Sequence, residues 1–191
     1  MIPGDFHKSV LFFSTAVLLV LLLAGVAAAE GMADRRAWVG LDLFPTFLAA
    51  DDHIDEKKGE DGRLHLLLVH RGRKGLAEEM AWQLTGVRTI RGIPIRVSEV
   101  RIEDLADAVT DAPAGIFLVE RMGERLGAAI RIAQNRKIIV FSPFAGDVEK
   151  GISSGMVISD RILPYVNVEA MRLSGVHMKF FFLGIAEQYG E

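Results

Sequence analysis

The chain has 191 residues, half of them hydrophobic, which is enough for one domain with a sizeable core. Its 22 basic and 25 acidic side chains give a formal net charge of −3 at pH 7, which argues against binding to nucleic acid or to an anionic membrane surface. It contains no cysteine, which excludes disulfides, thiol catalysis, thiolate metal sites and a lipoprotein anchor.

Residues 1–29 have the composition of an export signal. The stretch VLFFSTAVLLVLLLAGVAAA, residues 10–29, carries no charge, follows Lys8 and ends in three alanines before Glu30. This pattern predicts a secretory signal peptide with an A-x-A cleavage site. An apolar run of about 20 residues can also cross a bilayer as a helix, so an uncleaved N-terminal membrane anchor is the alternative. In both cases we expect the rest of the chain to work outside the cytoplasm.

The segment 30–62 predicts a helical region followed by a charged loop. Apolar side chains recur at helical spacing in residues 30–50, at Trp38, Leu41, Phe44 and Leu48. Pro45 predicts an interruption, so we expect a short helix or a pair of turns. The following stretch DDHIDEKKGEDG, residues 51–62, is mostly charged and predicts a solvated loop. His53 and its acidic neighbours could bind a metal, but they lack the spacing of a known site, so no metal site is predicted.

Residues 63–191 alternate between strand and helix patterns. Short apolar runs predict strands at residues 64–69, 93–97, 114–119 and 137–141. Apolar stripes predict helices at residues 74–86, 102–109 and 122–133, the first of them stopped by Gly86. Because parallel neighbours need crossover connections, this order predicts an α/β fold: a three-layer domain with a mostly parallel sheet of flavodoxin-like or Rossmann-like type.

The C-terminal part of this domain departs from the alternation. Residues 155–159 and 162–168 predict a pair of strands, and residues 177–189 predict a final helix. Five apolar residues of that helix are predicted to face the core: Met178, Phe181, Phe182, Ile185 and Tyr189. Phe180 and Leu183 lie outside this stripe and enlarge the apolar face. They are the predicted partner-binding residues, and burial in the core is the alternative.

One turn is a candidate ligand site, because folds of this type bind ligands beyond the carboxyl ends of their strands. The turn after the first strand, HRGRKG at residues 70–75, places basic side chains beside the start of a helix, which favours anions. Together with the turn after the third strand it supplies the predicted anion-binding residues Arg71, Arg73, Lys74, Glu120 and Arg121. Neither G-x-G-x-x-G nor G-x-x-x-x-G-K-[ST] is present there, so a solvated basic turn is the alternative.

The sequence contains no recognisable catalytic constellation. It lacks the G-x-S-x-G nucleophile motif, and Ser153 and Ser154 have no histidine or lysine nearby in a known arrangement. The histidines are scattered, and His65, inside an apolar strand, is predicted to be packed and hydrogen-bonded. We therefore predict no catalytic residue, no cofactor and no enzymatic activity.

Residues 147–190 contain a series of features in a fixed order: a glycine-led strand, a strand ending in asparagine, a small-residue helix, a Gly-hydrophobic step and a final helix. The residues that mark them are Gly155, Asn167, Ala170, Gly175, Val176, Phe182, Leu183 and Ala186. This series resembles the C-terminal signature of the YfiR/HmsC-like family of small exported bacterial proteins, and a looser resemblance covers residues 36–190. The resemblance implies a periplasmic α/β domain. For the best-known members it implies a regulator that holds a membrane diguanylate cyclase inactive by binding its periplasmic domain.

This chain departs from the family in two respects. It lacks the redox-sensitive cysteine pairs of those regulators, so control by disulfide state is excluded. The stretch FPTFLAADD, residues 44–52, stands where the family often has a tryptophan-proline step.

The leading prediction is a non-enzymatic periplasmic protein that regulates or binds a membrane or envelope protein, or a second copy of itself, through an apolar face. It touches the membrane only through residues 1–29, if these stay uncleaved. The alternative is a periplasmic solute-binding protein for a small anionic ligand. An enzyme of unrecognised type ranks third, since no acid, base and nucleophile occur together.

Overall fold

The computed structural model describes residues 30–190. The predicted signal peptide or anchor, residues 1–29, lies outside the described residues. The chain divides into two compact units, Met1–Arg35 and Arg36–Glu191. The described residues of the first unit, 30–35, are helical. Within residues 30–190 no helix combines the length and the apolar character needed to cross a membrane.

The second unit contains all the strands of the described chain. Its α-helices are α1 (residues 36–50), α2 (Lys74–Thr85), α3 (Leu105–Ala108), α4 (Leu126–Arg136), α5 (Val168–Leu173) and α6 (Phe180–Leu183). Its strands are β1 (Leu64–His70), β2 (Thr89–Ile90), β3 (Ile93–Arg101), β4 (Gly115–Leu118), β5 (Ile139–Ser142), β6 (Ser154–Ile158), β7 (Ile162–Asn167) and β8 (Glu187–Tyr189).

The strands form one sheet in the order β2-β3-β1-β4-β5-β6-β7-β8. Strands β3, β1, β4, β5 and β6 are parallel to one another, whereas β2 and β7 run antiparallel to β3 and β6. Taken by chain order, the five parallel strands follow the pattern second-first-third-fourth-fifth of flavodoxin-like sheets, with the switch point between β1 and β4. The predicted α/β fold with a mostly parallel sheet is confirmed.

Each face of the sheet has its own apolar core, because successive side chains of a strand point to opposite faces. One face packs on α3 and α4, and its main buried residues are Leu67, Val69, Leu105, Ile116, Leu118, Leu126, Ala129 and Val140. The opposite face carries Phe117 and Phe141, whose rings stack with their centroids 5.6 Å apart and pack beneath α1. Helices therefore cover both faces, as the three-layer prediction requires.

Helix α1 continues through Pro45, so the predicted interruption is wrong. A proline inside a helix costs about 3 kcal/mol, because it removes a backbone N–H and crowds the preceding turn. Near it, Phe44, Phe47 and Leu48 are fully buried against the sheet. Burial of each such side chain contributes about 1.5–3 kcal/mol. The helix persists because this burial outweighs the local cost of the proline.

The close approach of α1 to the sheet depends on Gly115 in β4. A Cβ at this position would lie 2.5 Å from Leu48 Cδ2 and 2.9 Å from Phe44 Cζ. Both distances are shorter than carbon atoms tolerate, so a side chain at position 115 would force Leu48 and Phe44, or the helix that carries them, to shift. The Phe44 ring lies 5.6 Å from the Phe117 ring in a tilted contact, an arrangement typical of packed aromatic cores.

The predicted C-terminal strand pair is confirmed, but the predicted final helix at residues 177–189 is wrong. Strands β6 and β7 form an antiparallel hairpin. Helix α6 has only four residues, Phe180–Leu183, and β8 then pairs in parallel with β7. Without β8, one side of β7 would present unpaired backbone groups at the edge of the sheet. The ladder with β7 gives the last residues the backbone hydrogen bonds that a helix would have supplied.

Asn167 and Gly175 begin and end helix α5. The Asn167 side chain accepts a hydrogen bond from the Ala170 N–H at 2.8 Å, which caps the helix, and donates one to the carbonyl oxygen of Val148 at 2.8 Å. Gly175 adopts a left-handed conformation with φ of +58°, and its N–H donates to the carbonyl oxygen of Arg172. This conformation ends the helix at little cost for glycine.

Candidate functional site

The turns after β1 and β4 meet at the switch point of the sheet, since the two strands are parallel neighbours. Glu120 Oε1 accepts hydrogen bonds from the backbone N–H groups of Arg71, Gly72 and Arg73, each 2.8 Å long. Three converging amides form the kind of concave site that binds anions in other proteins. Here a carboxylate of the same chain occupies them.

The turn stabilises Glu120 as an anion. Partial burial raises the pKa of the carboxyl group, but the three backbone N–H groups and the Arg71 guanidinium together lower it by more, so the pKa lies below its ordinary value. The carboxylate is therefore ionised at neutral pH. An external anion would have to displace Glu120 to bind the same amides.

Two of the five predicted anion-binding residues contact other groups. Lys74 Nζ lies 3.6 Å from Glu99 Oε1. Arg121 Nη1 donates to the carbonyl oxygen of Ala145 at 3.1 Å, and its guanidinium carbon lies 5.3 Å from the centre of the Phe144 ring. The structure brings the other three predicted residues together. The anion site itself stays a prediction.

Two histidines of β1 are buried within the fold. His65 Nε2 lies 3.1 Å from Ser98 Oγ, which confirms that this histidine is packed and hydrogen-bonded. His70 Nε2 lies 3.3 Å from Glu99 Oε2. Among residues 30–190, no three His, Asp or Glu side chains are grouped so that they could bind a metal.

A cavity of about 400 Å³ lies at the opposite, amino-terminal edge of the sheet. Its walls are the loop after α1, the residues before β4, the end of α4 and the segment between α5 and α6. Its basic and imidazole side chains are His53, Lys57, Lys58, Arg136, Lys137 and His177. The sequence does not reveal this cavity, because its walls come from four distant segments without a motif. The one signal was a pair of adjacent basic residues shortly before β1 and another shortly before β5.

The loop that forms one wall is more ordered than predicted. Residues Ile54–Lys57 form a short 3-10 helix, with Ile54 buried beneath it. Asp51 is only 1% exposed, and its Oδ2 lies 2.6 Å from Lys57 Nζ. The prediction of a fully solvated loop is therefore wrong for these residues, because an apolar anchor and a buried ion pair fix the loop to the domain.

A second feature is a group of exposed apolar side chains near the C-terminal end of the chain. Phe180 is 90% exposed, Phe181 67%, Ile185 59% and Tyr189 40%. We call these four residues the C-terminal apolar surface. Leu183, the other predicted partner-binding residue, is half-buried between them in the chain.

The surface corrects part of the predicted core stripe. Of its five members only Met178 and Phe182 are buried. The Phe182 ring packs edge-on against Phe47 of α1, with the centroids 5.0 Å apart. The prediction of core burial is wrong for Phe181, Ile185 and Tyr189. These residues are exposed because α6 ends after one turn and the chain then follows β7.

No protein-family model matches the chain, and no curated protein matches it. Among solved structures, an ABC domain from Streptococcus pneumonia in complex with L-Trp has a TM-score of 0.52 and 12% identity, over 80% of this chain and 59% of that chain. A conserved domain protein from Vibrio cholerae O1 biovar El Tor strain N16961 has a TM-score of 0.49 and 14% identity, over 74% of this chain and 59% of that chain. The chain thus spans 59% of the length of each. The first similarity shows a shared α/β fold and no more.

Proposed function

We propose that this chain is a non-enzymatic exported protein that binds another protein, a membrane or envelope component, through the C-terminal apolar surface. The exposure of two adjacent phenylalanines, Phe180 and Phe181, is the observation that supports this proposal best. Leaving such a side chain in water forgoes about 1.5–3 kcal/mol that burial would provide. Aromatic residues of this kind are enriched where proteins bind one another.

The edge of the sheet beside this surface adds a second means of recognition. Strand β8 is the last strand of the sheet and belongs to the same stretch of chain as Phe180. The outer side of an edge strand presents unpaired N–H and C=O groups, to which a partner can add a strand. A partner strand paired with β8 would supply main-chain hydrogen bonds, and the exposed aromatic rings would supply apolar contact.

The finer proposal comes from the resemblance to the YfiR/HmsC-like family. On that basis the partner is the periplasmic domain of a membrane diguanylate cyclase, which the bound protein holds inactive. The absence of cysteine means that such repression would depend on binding rather than on a disulfide. Co-expression with a membrane diguanylate cyclase should then lower the cellular level of the cyclic dinucleotide.

The test of partner binding is site-specific photo-crosslinking in the source organism. A photoreactive phenylalanine analogue at position 180 is expected to give a covalent adduct with an envelope protein. The same analogue at position 82 is the control, because Trp82 is 81% exposed on α2 among polar neighbours and is expected to give none. With the partner identified, F180D/F181D should weaken binding by about 100-fold or more, and W82D should not.

Two results would contradict the proposal. An adduct formed only with a second copy of the chain would make the surface a homodimer interface instead. If the chain is exported and the analogue at position 180 gives no adduct, the C-terminal apolar surface has no partner.

The alternative function is binding of a small anionic solute at the turn that contains Arg71 and Arg73. The solved domain with a similar fold was crystallised with L-Trp, so an α/β domain of this type can bind a small molecule. Against this, Glu120 already occupies the amides of the turn. Partner binding is therefore the preferred function.

A further inference from the structure

The cavity at the amino-terminal edge of the sheet has no part in the proposed function. Its volume of about 400 Å³ lies within the range of small-molecule sites in proteins. It is separate from the turn around Glu120, because the two lie at opposite ends of the parallel strands β1 and β4.

The cavity has three basic side chains that are free of ion pairs. Lys58, Arg136 and Lys137 line it, and none of them forms an ion pair within residues 30–190. The hydrocarbon chain of Lys137 lies against Gly175, where a Cβ would come within 3.5 Å of it. The Lys137 side chain thus runs along the wall of the cavity.

Acidic side chains offset only part of this charge. The cavity is lined by two carboxylates, Asp51 and Glu56. Asp51 is paired with Lys57 at 2.6 Å, so this pair adds no net charge. Three unpaired cations and one unpaired carboxylate, Glu56, leave the lining with a surplus of 3 − 1 = 2 positive charges, with both histidines counted as neutral.

The walls are held in place by contacts between distant segments. The Asp52 N–H donates to the carbonyl oxygen of His177 at 2.8 Å. Asp51 and Met178 form an isolated antiparallel bridge. The rings of His53 and His177 pack edge to face, 5.4 Å apart. A cavity whose walls are fixed before binding loses little conformational entropy when a ligand enters.

We infer that this cavity binds a small anion that carries two or more negative charges, such as a phosphate ester or a dicarboxylate. Such a ligand matches the two surplus positive charges and the volume. The imidazole rings and the lysine and arginine groups can donate hydrogen bonds to phosphate or carboxylate oxygens.

The experiment is isothermal titration calorimetry of the full chain, in a low-salt detergent buffer without phosphate, with glycerol 3-phosphate, succinate and acetate. At least one of the two dianions is expected to bind with a Kd of about 1 mM or below, and acetate more weakly, because it carries one charge. K58Q/K137Q should weaken binding of that dianion by about tenfold. E56Q should strengthen it by about threefold, because it removes the opposing carboxylate.

The matched control is K150Q/R161Q, which removes two positive charges at exposed positions outside the cavity. It is expected to change the affinity by less than about twofold, because exposed distant charges are screened. R71Q, at the other edge of the sheet, should leave the affinity unchanged. E56Q is expected to raise the affinity, whereas K58Q/K137Q is expected to lower it. The inference can therefore be tested with E56Q even if K58Q/K137Q is too unstable to measure.

Three results would overturn the inference. No heat and no thermal stabilisation with either dianion at about 10 mM would show that the cavity binds none of this class. If K150Q/R161Q lost as much affinity as K58Q/K137Q, binding would depend on the total charge of the protein and not on the cavity. A loss of binding in R71Q alone would place the ligand at the turn instead. None of these results bears on partner binding, since Phe180 and Phe181 lie outside the cavity.

Discussion

Glu120 shows how one side chain changes the use of a familiar site. In sheets with this strand order the turn after the first strand is a common place for an anionic ligand. The same backbone amides are present here, yet Glu120 takes all three hydrogen bonds at 2.8 Å. The turn therefore joins two loops of the fold, and an external anion would compete with Glu120 for its amides.

The first prediction concerns the pH dependence of this contact. The pKa of Glu120 is lowered in the folded chain, so its contribution to the free energy of unfolding is present above the pKa of the unfolded carboxyl group. That contribution is lost as the pH falls through the lower, folded-state pKa. E120Q should therefore reduce the free energy of unfolding by about 1 kcal/mol at pH 7. The figure is modest because Glu120 is partly exposed and solvent screens its interactions. The deficit should shrink below about pH 4.

Urea unfolding of both proteins between pH 3 and pH 8 measures this difference. The control is E79Q, at an exposed position of α2, which should change the stability by less than about 0.5 kcal/mol at any pH. A deficit for E120Q that stayed the same from pH 8 to pH 3 would contradict the prediction.

At the scale of elements, helix α1 carries much of one core although its sequence argues against a long helix. Pro45 sits in its middle, where it cannot donate a hydrogen bond to the carbonyl oxygen of Leu41. Phe44 and Phe47 hold the helix on the sheet through contacts with rings of β4 and β5. The proline is tolerated because these contacts come from the tertiary structure.

The second prediction follows from this balance. P45A restores the missing backbone N–H in a helix that is already continuous. The free energy of unfolding should rise by about 1–3 kcal/mol. The rise is smaller than the full cost of the proline, because proline also stabilises the folded state by restricting the unfolded chain, and P45A loses that contribution. Thermal and urea unfolding give the value. T46A, a substitution at the next residue, is the control for helix propensity. It should raise the free energy of unfolding by about 0.5 kcal/mol. Lower stability in P45A would mean that the proline ring itself packs favourably.

The local patterns predicted the four central strands and the helices between them well. Continuous apolar runs such as residues 64–69 can only be covered on both faces, and β1 is fully buried. The prediction of a helix at residues 177–189 is wrong, because the spacing of apolar residues does not show that the free edge of β7 lies nearby. Pairing of β8 with β7 is a contact between separate segments, which spacing along the chain does not encode.

The candidate sites show the same limit. The turn at Arg71 was visible because its residues are consecutive, but its occupant, Glu120, lies almost fifty residues further on. Phe180, which is predicted to lie off the core stripe, is the most exposed large apolar residue among residues 30–190. The cavity was invisible, because Lys58, Lys137 and His177 become neighbours only in the folded chain.

At the scale of the whole molecule, helix α1 forms part of the core of the domain. Its buried residues Leu41, Phe44, Phe47 and Leu48 belong to the core of the second unit. Together their burial contributes roughly 6–12 kcal/mol. That is comparable to the entire stability of a typical domain, about 5–15 kcal/mol.

The third prediction is that the domain folds without residues 1–29 but not without α1. A chain that begins at residue 30 should show a cooperative thermal transition by circular dichroism. A chain that begins at residue 51 should show none, because the face of the sheet beneath α1 would be bare. A cooperative transition in the shorter chain would contradict the account of the core.

The contacts between the end of α1 and the segment before α6 join residues that are far apart in the sequence. The Lys179 side chain donates a hydrogen bond to the carbonyl oxygen of Ala49, 130 residues earlier in the chain, and its N–H donates to Ala50. Contacts over such separations must close a large loop, which slows folding. During synthesis, these particular contacts can therefore form only after the segment before α6 has been made, more than a hundred residues after α1.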